Sequence, residues 1–339
     1  MFWETIRNFW KRHHKINVVV LKLVLFSILC YNLYSKFANK DFGLMIQLFE
    51  NQFSWTKIHF LFFVIALTFF NWGFESMKFY LCVQRLEKIS FFKAYKGILF
   101  GNAMNLILPM SIGELTGRPM VLKEENRTEG YGIAYYVSIV QKVASPFIGL
   151  MFLLSSYVMN IIPNEEITVL GWAMPLIGFI FIISVVDLVF WFTMFWKPEW
   201  TLHLLEKIKS LKKTFESIEN ILHYTQKLKR ELLLIGAMRF IIFVTQYWLL
   251  MFLFFENFPE LEFYILCGVY FLAQFVIPSL GFLDVGIRAN LVAFIFSSHT
   301  DNFLQLMAVN YLIWMINVLV PSIFGFYLMR KSIVSIPKE

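Results

Sequence analysis

Asn102–Arg118 reads NAMNLILPMSIGELTGR, a stretch in which an apolar helix end meets Pro109, two glycines, Gly113 and Gly117, and an opposite-charge pair, Glu114 and Arg118. A second version follows near the other end of the chain, where residues 275–288 read FVIPSLGFLDVGIR. There Pro278, Gly281, Asp284, Gly286 and Arg288 answer to Pro109, Gly113, Glu114, Gly117 and Arg118, with the acid slipped by one position. Each version is preceded by a short apolar run, Ala94–Leu108 and Phe263–Ile277. At about 1.5 Å per residue such a run reaches roughly 22 Å, short of the roughly 30 Å hydrocarbon core of a bilayer. The expectation is therefore two re-entrant hairpins, each short run forming one arm. For the first, turning back also avoids dragging Glu114 and Arg118 across the membrane.

The rest of the chain agrees with a membrane setting. Of its 339 residues 58% are hydrophobic, 19% aromatic and only 16% charged, with a mean hydropathy of +0.64, a balance that marks a polytopic membrane protein. The net charge of +7 lies in short loops between apolar runs, which is membrane orientation and not a nucleic-acid surface. Cys30, Cys82 and Cys267 fall in or beside apolar segments and the six His show no metal spacing, so no disulfide framework, metal or cofactor is expected.

Full crossings are predicted over Ile16–Phe37, Ile58–Val83, Tyr131–Ser155, Thr168–Trp196, Leu232–Phe255 and Leu304–Met329. Arg7, Lys11, Arg12 and Lys15 precede the first, which has no small-residue cleavage site and reads as a retained helix. Six crossings and two hairpins satisfy the Lys/Arg bias of every loop with both termini cytoplasmic, in a bacterial inner membrane. Between residues 197 and 231, Leu202, Leu205, Ile208, Leu211, Phe215, Ile218 and Leu222 keep a three-or-four spacing around Lys207, Lys209, Lys212 and Lys213. That segment is predicted to be a basic, amphipathic cytoplasmic helix.

The expected fold class is thus an all-α polytopic membrane protein, a single membrane domain over 1–339. It holds six transmembrane helices and two re-entrant hairpins arranged as inverted repeats, residues 58–155 and 232–330. A second echo supports the pairing: Pro146 and Gly149 follow Gln141 as Pro321 and Gly325 follow Asn317. Inverted repeats whose broken helices meet near the midplane are a signature of secondary transporters.

Ionisable groups inside hydrocarbon cost from about 2.5 kcal/mol each, so they face a cavity or a partner. Glu114 and Arg118 stand four apart, as do Asp284 and Arg288, which places each pair on one helical face. Either the hairpin tips hold a charged headgroup, Arg on phosphate and acid on ammonium, or each pair only neutralises itself. Glu75 and Lys78, one turn apart, are open to the same two readings. Gln141 and Lys142 sit deep in their helix, and Lys142 is expected to face the cavity. Arg239 is read as snorkelling toward the interface, Asp187 as lacking a local partner, and Asn310 and Asn317 as helix-to-helix hydrogen bonders. No nucleophile with a base, carboxylate cluster or phosphate-cradling loop stands out, so no catalytic residue is assigned and the chain is not expected to be an enzyme.

These residues resemble the transmembrane region of the lysylphosphatidylglycerol synthase and flippase family, with its stand-alone flippase-like relatives. The resemblance runs from Asn71 to Met329. It rests on Asn71-Trp72 followed by Lys78-Phe79, on Asn105, Leu108, Pro109, Gly113, Glu114 and Arg118 as N-x-x-L-P-x-x-x-G-E-x-x-x-R, and on the Pro-and-Gly segment with an acid near Gly286. In the second half the family more often has a Gly-rich turn ending in Glu, where this chain has Phe282-Leu283-Asp284. The resemblance implies movement of polar-headed, including aminoacylated, phospholipids between leaflets, without the family's separate cytoplasmic acyltransferase-like domain. Membrane phospholipids are then the expected partner and Asn105 joins the expected site. Two alternatives stay open: a small-solute or proton-coupled transporter of the same architecture, and a non-catalytic accessory subunit docking a soluble or membrane enzyme of envelope-lipid or polysaccharide synthesis.

Overall fold

The computed structural model describes residues 55–108, 112–162, 166–169, 172–199, 224–255, 260–276, 283–296, 299–300 and 303–334, together with residues 47 and 50. The expected crossing over Ile16–Phe37, the core of the expected basic helix and the turns holding Pro109, Pro278 and Gly281 lie outside them. The helices are α1 (His59–Val83), α2 (Phe91–Ile107), α3 (Ile112–Gly117), α4 (Arg127–Val158), α5 (Leu176–Trp196), α6 (Gln226–Phe254), α7 (Glu260–Val276), α8 (Leu283–Ile295), α9 (Phe303–Trp314) and α10 (Val320–Val334). Among the described residues five stretches can cross a membrane by length and composition: Trp55–Val83, Glu124–Val158, Ile177–Trp196, Gln226–Phe254 and Leu304–Arg330. They coincide with five of the six crossings expected from the sequence. The protein is an all-α polytopic membrane protein.

One boundary differs. The crossing expected from Thr168 begins at Leu176, because Glu166–Val169 and Trp172–Pro175 pair as a short antiparallel ribbon. Ile167, Thr168 and Val169 are β-branched, and Pro175, directly before the helix start, stands where no backbone N–H is needed.

Local chemistry sets the other ends. Ser90 caps α2 by accepting from the backbone N–H of Lys93, and Thr225 caps α6 by accepting from that of Leu228. Leu108 ends α2 in an extended conformation, as the residue before a proline should. The chain then runs back along the helix it has just left. A Cβ on Gly113 would stand 2.0 Å from the backbone nitrogen of Asn105, and one on Gly117 would stand 2.6 Å from that of Gly101. Only glycine allows this approach, so α3 lies backbone to backbone against α2.

Two apolar cores hold the bundle. One joins α1, α2, α4 and the end of α5, with Tyr136 stacked on Phe195 at 5.3 Å. The other gathers α6 with α7, α8 and α9, where Tyr247 meets Tyr270, Phe271 and Phe296. The last crossing is continuous but widened. Met315–Leu319 forms a π turn in which the Val320 N–H reaches the Met315 carbonyl, five residues back. Beyond it α10 packs on α2, where a Cβ on Gly325 would come within 2.1 Å of the Leu99 carbonyl oxygen.

Candidate functional site

The face of α1 opposite its exposed Phe62, Phe63, Phe69 and Phe70 carries Asn71, Trp72, Glu75 and Lys78, all buried. Helical periodicity puts positions i, i+1, i+4 and i+7 on one side, so an apolar helix turns a single polar stripe inward. Glu75 is the centre of what gathers there. Its carboxylate lies 2.8 Å from Lys78 Nζ, 2.9 Å from Arg118 Nη2 and 3.0 Å from Arg239 Nη1. Lys78 is 0% and Arg118 2% exposed. Charges this deep persist only when paired.

Arg118 reaches Glu75 from the reversing segment just after α3, and its Nη2 also meets Glu114 Oε2 at 2.6 Å. The Glu114 and Arg118 pair expected from the sequence is present, yet it is not closed on itself, since Arg118 is shared with Glu75. Glu75 and Lys78 likewise belong to the common cluster as well as to each other. Lys78 and Arg239 both donate to Gln141 Oε1, at 2.9 and 3.3 Å, and Gln141 Nε2 donates to Ser145 Oγ and to the Gly236 carbonyl. Arg239 Nε donates to Asn71 Oδ1 at 2.9 Å, and Asn71 Nδ2 donates to Asn317 Oδ1 at 3.0 Å. The Trp72 indole N–H donates to the Asn317 carbonyl at 3.1 Å. That carbonyl is available because the residue four places on is Pro321, which has no N–H to offer it.

Two consequences follow for chemistry. Among the described residues three cations, Lys78, Arg118 and Arg239, face two carboxylates, Glu75 and Glu114, which leaves a surplus of positive charge. Both carboxylates also use the same Arg118 nitrogen, and Nε and Nη1 are buried without a hydrogen-bond partner among the described residues. On α2, which packs against α3, Asn102 Nδ2 and Asn105 Oδ1 are buried and likewise have no partner among the described residues. An orphaned donor of this kind costs about 1–3 kcal/mol, and more on a charged group, unless something polar fills the place. A buried, electropositive guanidinium with free N–H groups is a receptor for phosphate or carboxylate.

Glu75, Lys78, Glu114, Arg118 and Gln141 come together in one cluster, and Asn105 lies on α2, the helix packed against α3. Lys142 does not join them. It follows Gln141, so the helix turns it about 100° away, and its ammonium lies over the Trp191 ring of α5, 3.9 Å from the centroid. Arg239 corrects its snorkelling assignment: it stands about 20 Å from either end of α6, too far to reach an interface, and is held in the cluster with Trp72 and Phe243 beside its guanidinium. That central position was the signal that could have found it. Asp187 has a local partner after all, the Trp191 indole N–H at 2.9 Å. Asn310 accepts from the Tyr270 hydroxyl, tying α9 to α7. Gly286 and Asp284 lie on α8, with the Asp284 side chain outside the described ones, and Arg288 on the same helix is half-buried. Asn71, Trp72, Ser145 and Asn317 were not read as site residues, since neutral polar groups are common at membrane helix contacts.

The family profile described as Lysylphosphatidylglycerol synthase TM region matches residues 19–325 of the chain. No curated protein sequence matches it.

Proposed function

Because the chain belongs to the lysylphosphatidylglycerol synthase TM region family, we propose that it moves a polar-headed phospholipid between membrane leaflets, holding the headgroup phosphate at Arg118. The observation that carries this reading is the Arg118 guanidinium, 2% exposed, with Nε and Nη1 unpartnered among the described residues, in a cluster whose described members carry surplus positive charge. A phosphodiester brings one negative charge and acceptor oxygens, so it would both neutralise the surplus and satisfy the orphaned donors. The acyl chains would stay in lipid while the headgroup crosses in the pocket, which removes most of the expense of taking charge through hydrocarbon. Glu114, a quarter exposed, is placed to meet an ammonium on an aminoacylated or other zwitterionic headgroup.

In this reading α2 and α7 are the inward arms of two re-entrant hairpins that enter from opposite faces of a bacterial inner membrane, with both chain termini cytoplasmic. The return of α3 along α2 supports the first hairpin, and Asp284 and Arg288 would serve the second as Glu114 and Arg118 serve the first. One repeat rocks against the other to alternate access. The protein acts as a carrier, without a catalytic step.

The test is a leaflet-exposure assay on proteoliposomes with a headgroup-labelled phospholipid, comparing the parent with Glu114→Ala and Arg118→Ala at equal reconstitution. Arg118→Ala is expected to abolish protein-dependent lipid movement and Glu114→Ala to slow it. Movement at the parent rate in both variants would overturn the site.

A further inference from the structure

Gln141 points into the charged cluster, whereas Lys142 is exposed on the outside of the bundle. Lys142 stands about 22 Å from either end of α4, so its side chain cannot carry the ammonium to an interface. It shares that spot with an acid. Asp187, half-buried near the middle of α5, accepts from Trp191, whose ring lies beneath the Lys142 ammonium. A second acid, Glu114, sits on α3, which packs against α4 as well. Along the same face of α4 lie Tyr131, Tyr135 and Ser138, exposed or half-buried, at helical spacing from Lys142. A polar strip therefore runs along α4, a helix against which both α3 and α5 pack, and reaches the depth where hydrocarbon would be expected.

Resting on the phospholipid reading, we propose that this strip is the lateral passage by which the headgroup slides between the bilayer and the buried cluster, and that Lys142 is its anion-selecting contact. Glu114 joins the two regions, since one of its oxygens binds Arg118 while its side chain remains a quarter exposed. A phosphate arriving from lipid meets the Lys142 ammonium first, held ready over an indole face, and Arg118 next. Trp191, Tyr131 and Tyr135 give the passage an aromatic lining suited to a molecule that is apolar at one end and wet at the other. Asp187 keeps the Trp191 ring in place through its hydrogen bond, which makes it a positioning residue.

Charge rescue tests the assignment. Lys142→Cys is made in a background with Cys30, Cys82 and Cys267 replaced by Ser, reconstituted, and assayed for movement of a headgroup-labelled anionic phospholipid. The cysteine variant is expected to be several-fold slower than its parent. Treatment with a methanethiosulfonate carrying an ammonium should restore the rate, and one carrying a sulfonate should not, a contrast that a merely structural role would not produce. Lys142→Arg should keep the rate and covers the case in which the cysteine variant does not fold. Parent-like movement by Lys142→Cys, or equal effects of the two reagents, overturns the passage while leaving Arg118 untouched. A parent that moves no lipid overturns the phospholipid reading and this inference together.

Discussion

Glu75 has three cations within 3.0 Å of its carboxylate oxygens and is itself buried, so removing its charge does more than delete one contact. Glu75→Gln leaves Lys78, Arg118 and Arg239 sharing a buried pocket in which Glu114 is the one counter-charge left among the described residues, and breaking a buried ion pair this way costs about 3–5 kcal/mol. The variant is expected to lose its monodisperse elution in mild detergent and to melt well below the parent. Arg118→Gln takes away a cation from a cluster that has one to spare, and should keep the fold far better while losing lipid movement. The contrast, read by thermal melting and the lipid assay on the same preparations, separates the group that holds the cluster together from the group that waits for a ligand. Glu87, outside the membrane segments, shows the same logic in a form that pH can read. Burial pulls its carboxyl pKa up, but hydrogen bonds from Asn126 and the Lys123 N–H, with Lys93 at 2.9 Å, more than offset this and hold it at about 2, below the ordinary 4.5. A depressed folded-state pKa contributes stability that is fully present above the unfolded value and is lost as pH falls toward the folded one. The stability difference between the parent and Glu87→Gln should therefore be constant above about pH 5 and shrink toward pH 2, measured by thermal melting across that range.

Among the elements, the pairing of α2 with α3 is the tightest contact near the site. A methyl group on Gly117 would lie 2.6 Å from the backbone of Phe100 and Gly101, so Gly117→Ala must push the two arms apart. Overpacking of this sort costs about 1–3 kcal/mol, and because Arg118 is the next residue the displacement falls directly on the phosphate contact. The expected result is a protein that still elutes as a single species but moves lipid several-fold more slowly. The π turn before α10 is a second structural joint. Pro321 leaves the Asn317 carbonyl open for Trp72, and Ser322 Oγ donates to the Asn102 carbonyl of α2 at 3.1 Å. The joint thus ties α1 to the last crossing while α10 packs on α2, the helix against which the segment leading to Arg118 lies. Pro321→Ala restores an N–H that competes with Trp72 for the carbonyl, and is expected to slow lipid movement with little change in melting temperature. A parent-like rate would remove the joint from the mechanism.

At the scale of the whole molecule, the cluster draws its members from α1, α4, α6, the reversing segment after α3 and the π turn, so it can exist only when the bundle is closed around it. The proposed two-hairpin arrangement implies a topology. Single cysteines at residues 86–89, after α1, and at residues 256–259, between α6 and α7 in the sequence, should be labelled by an impermeant thiol reagent from opposite faces of the membrane. Labelling from the same face would remove the inverted repeat and with it the alternating-access reading.

Much of this was open to reading in one dimension. Hydropathy located five of the six expected crossings, four of them to within seven residues and the one expected from Thr168 with a start eight residues before Leu176, because a bilayer demands a fixed length of apolar helix and penalises backbone groups left unpaired. Pro109 and the two glycines marked the reversal, since only those residues permit a helix to stop and its continuation to lie against it. The Glu114 and Arg118 pair was legible because i and i+4 share a helical face. What the order of residues could not supply was the company each charge keeps across helices. Nothing near Glu75 in the sequence announces that Arg118 and Arg239 converge on its carboxylate, and Gln141 and Lys142 are told apart only by which neighbours the packing sets on either side of α4. Helical period fixes faces within an element, while the rotation and pairing of whole helices, settled by glycine contacts and the two apolar cores, decides which faces meet.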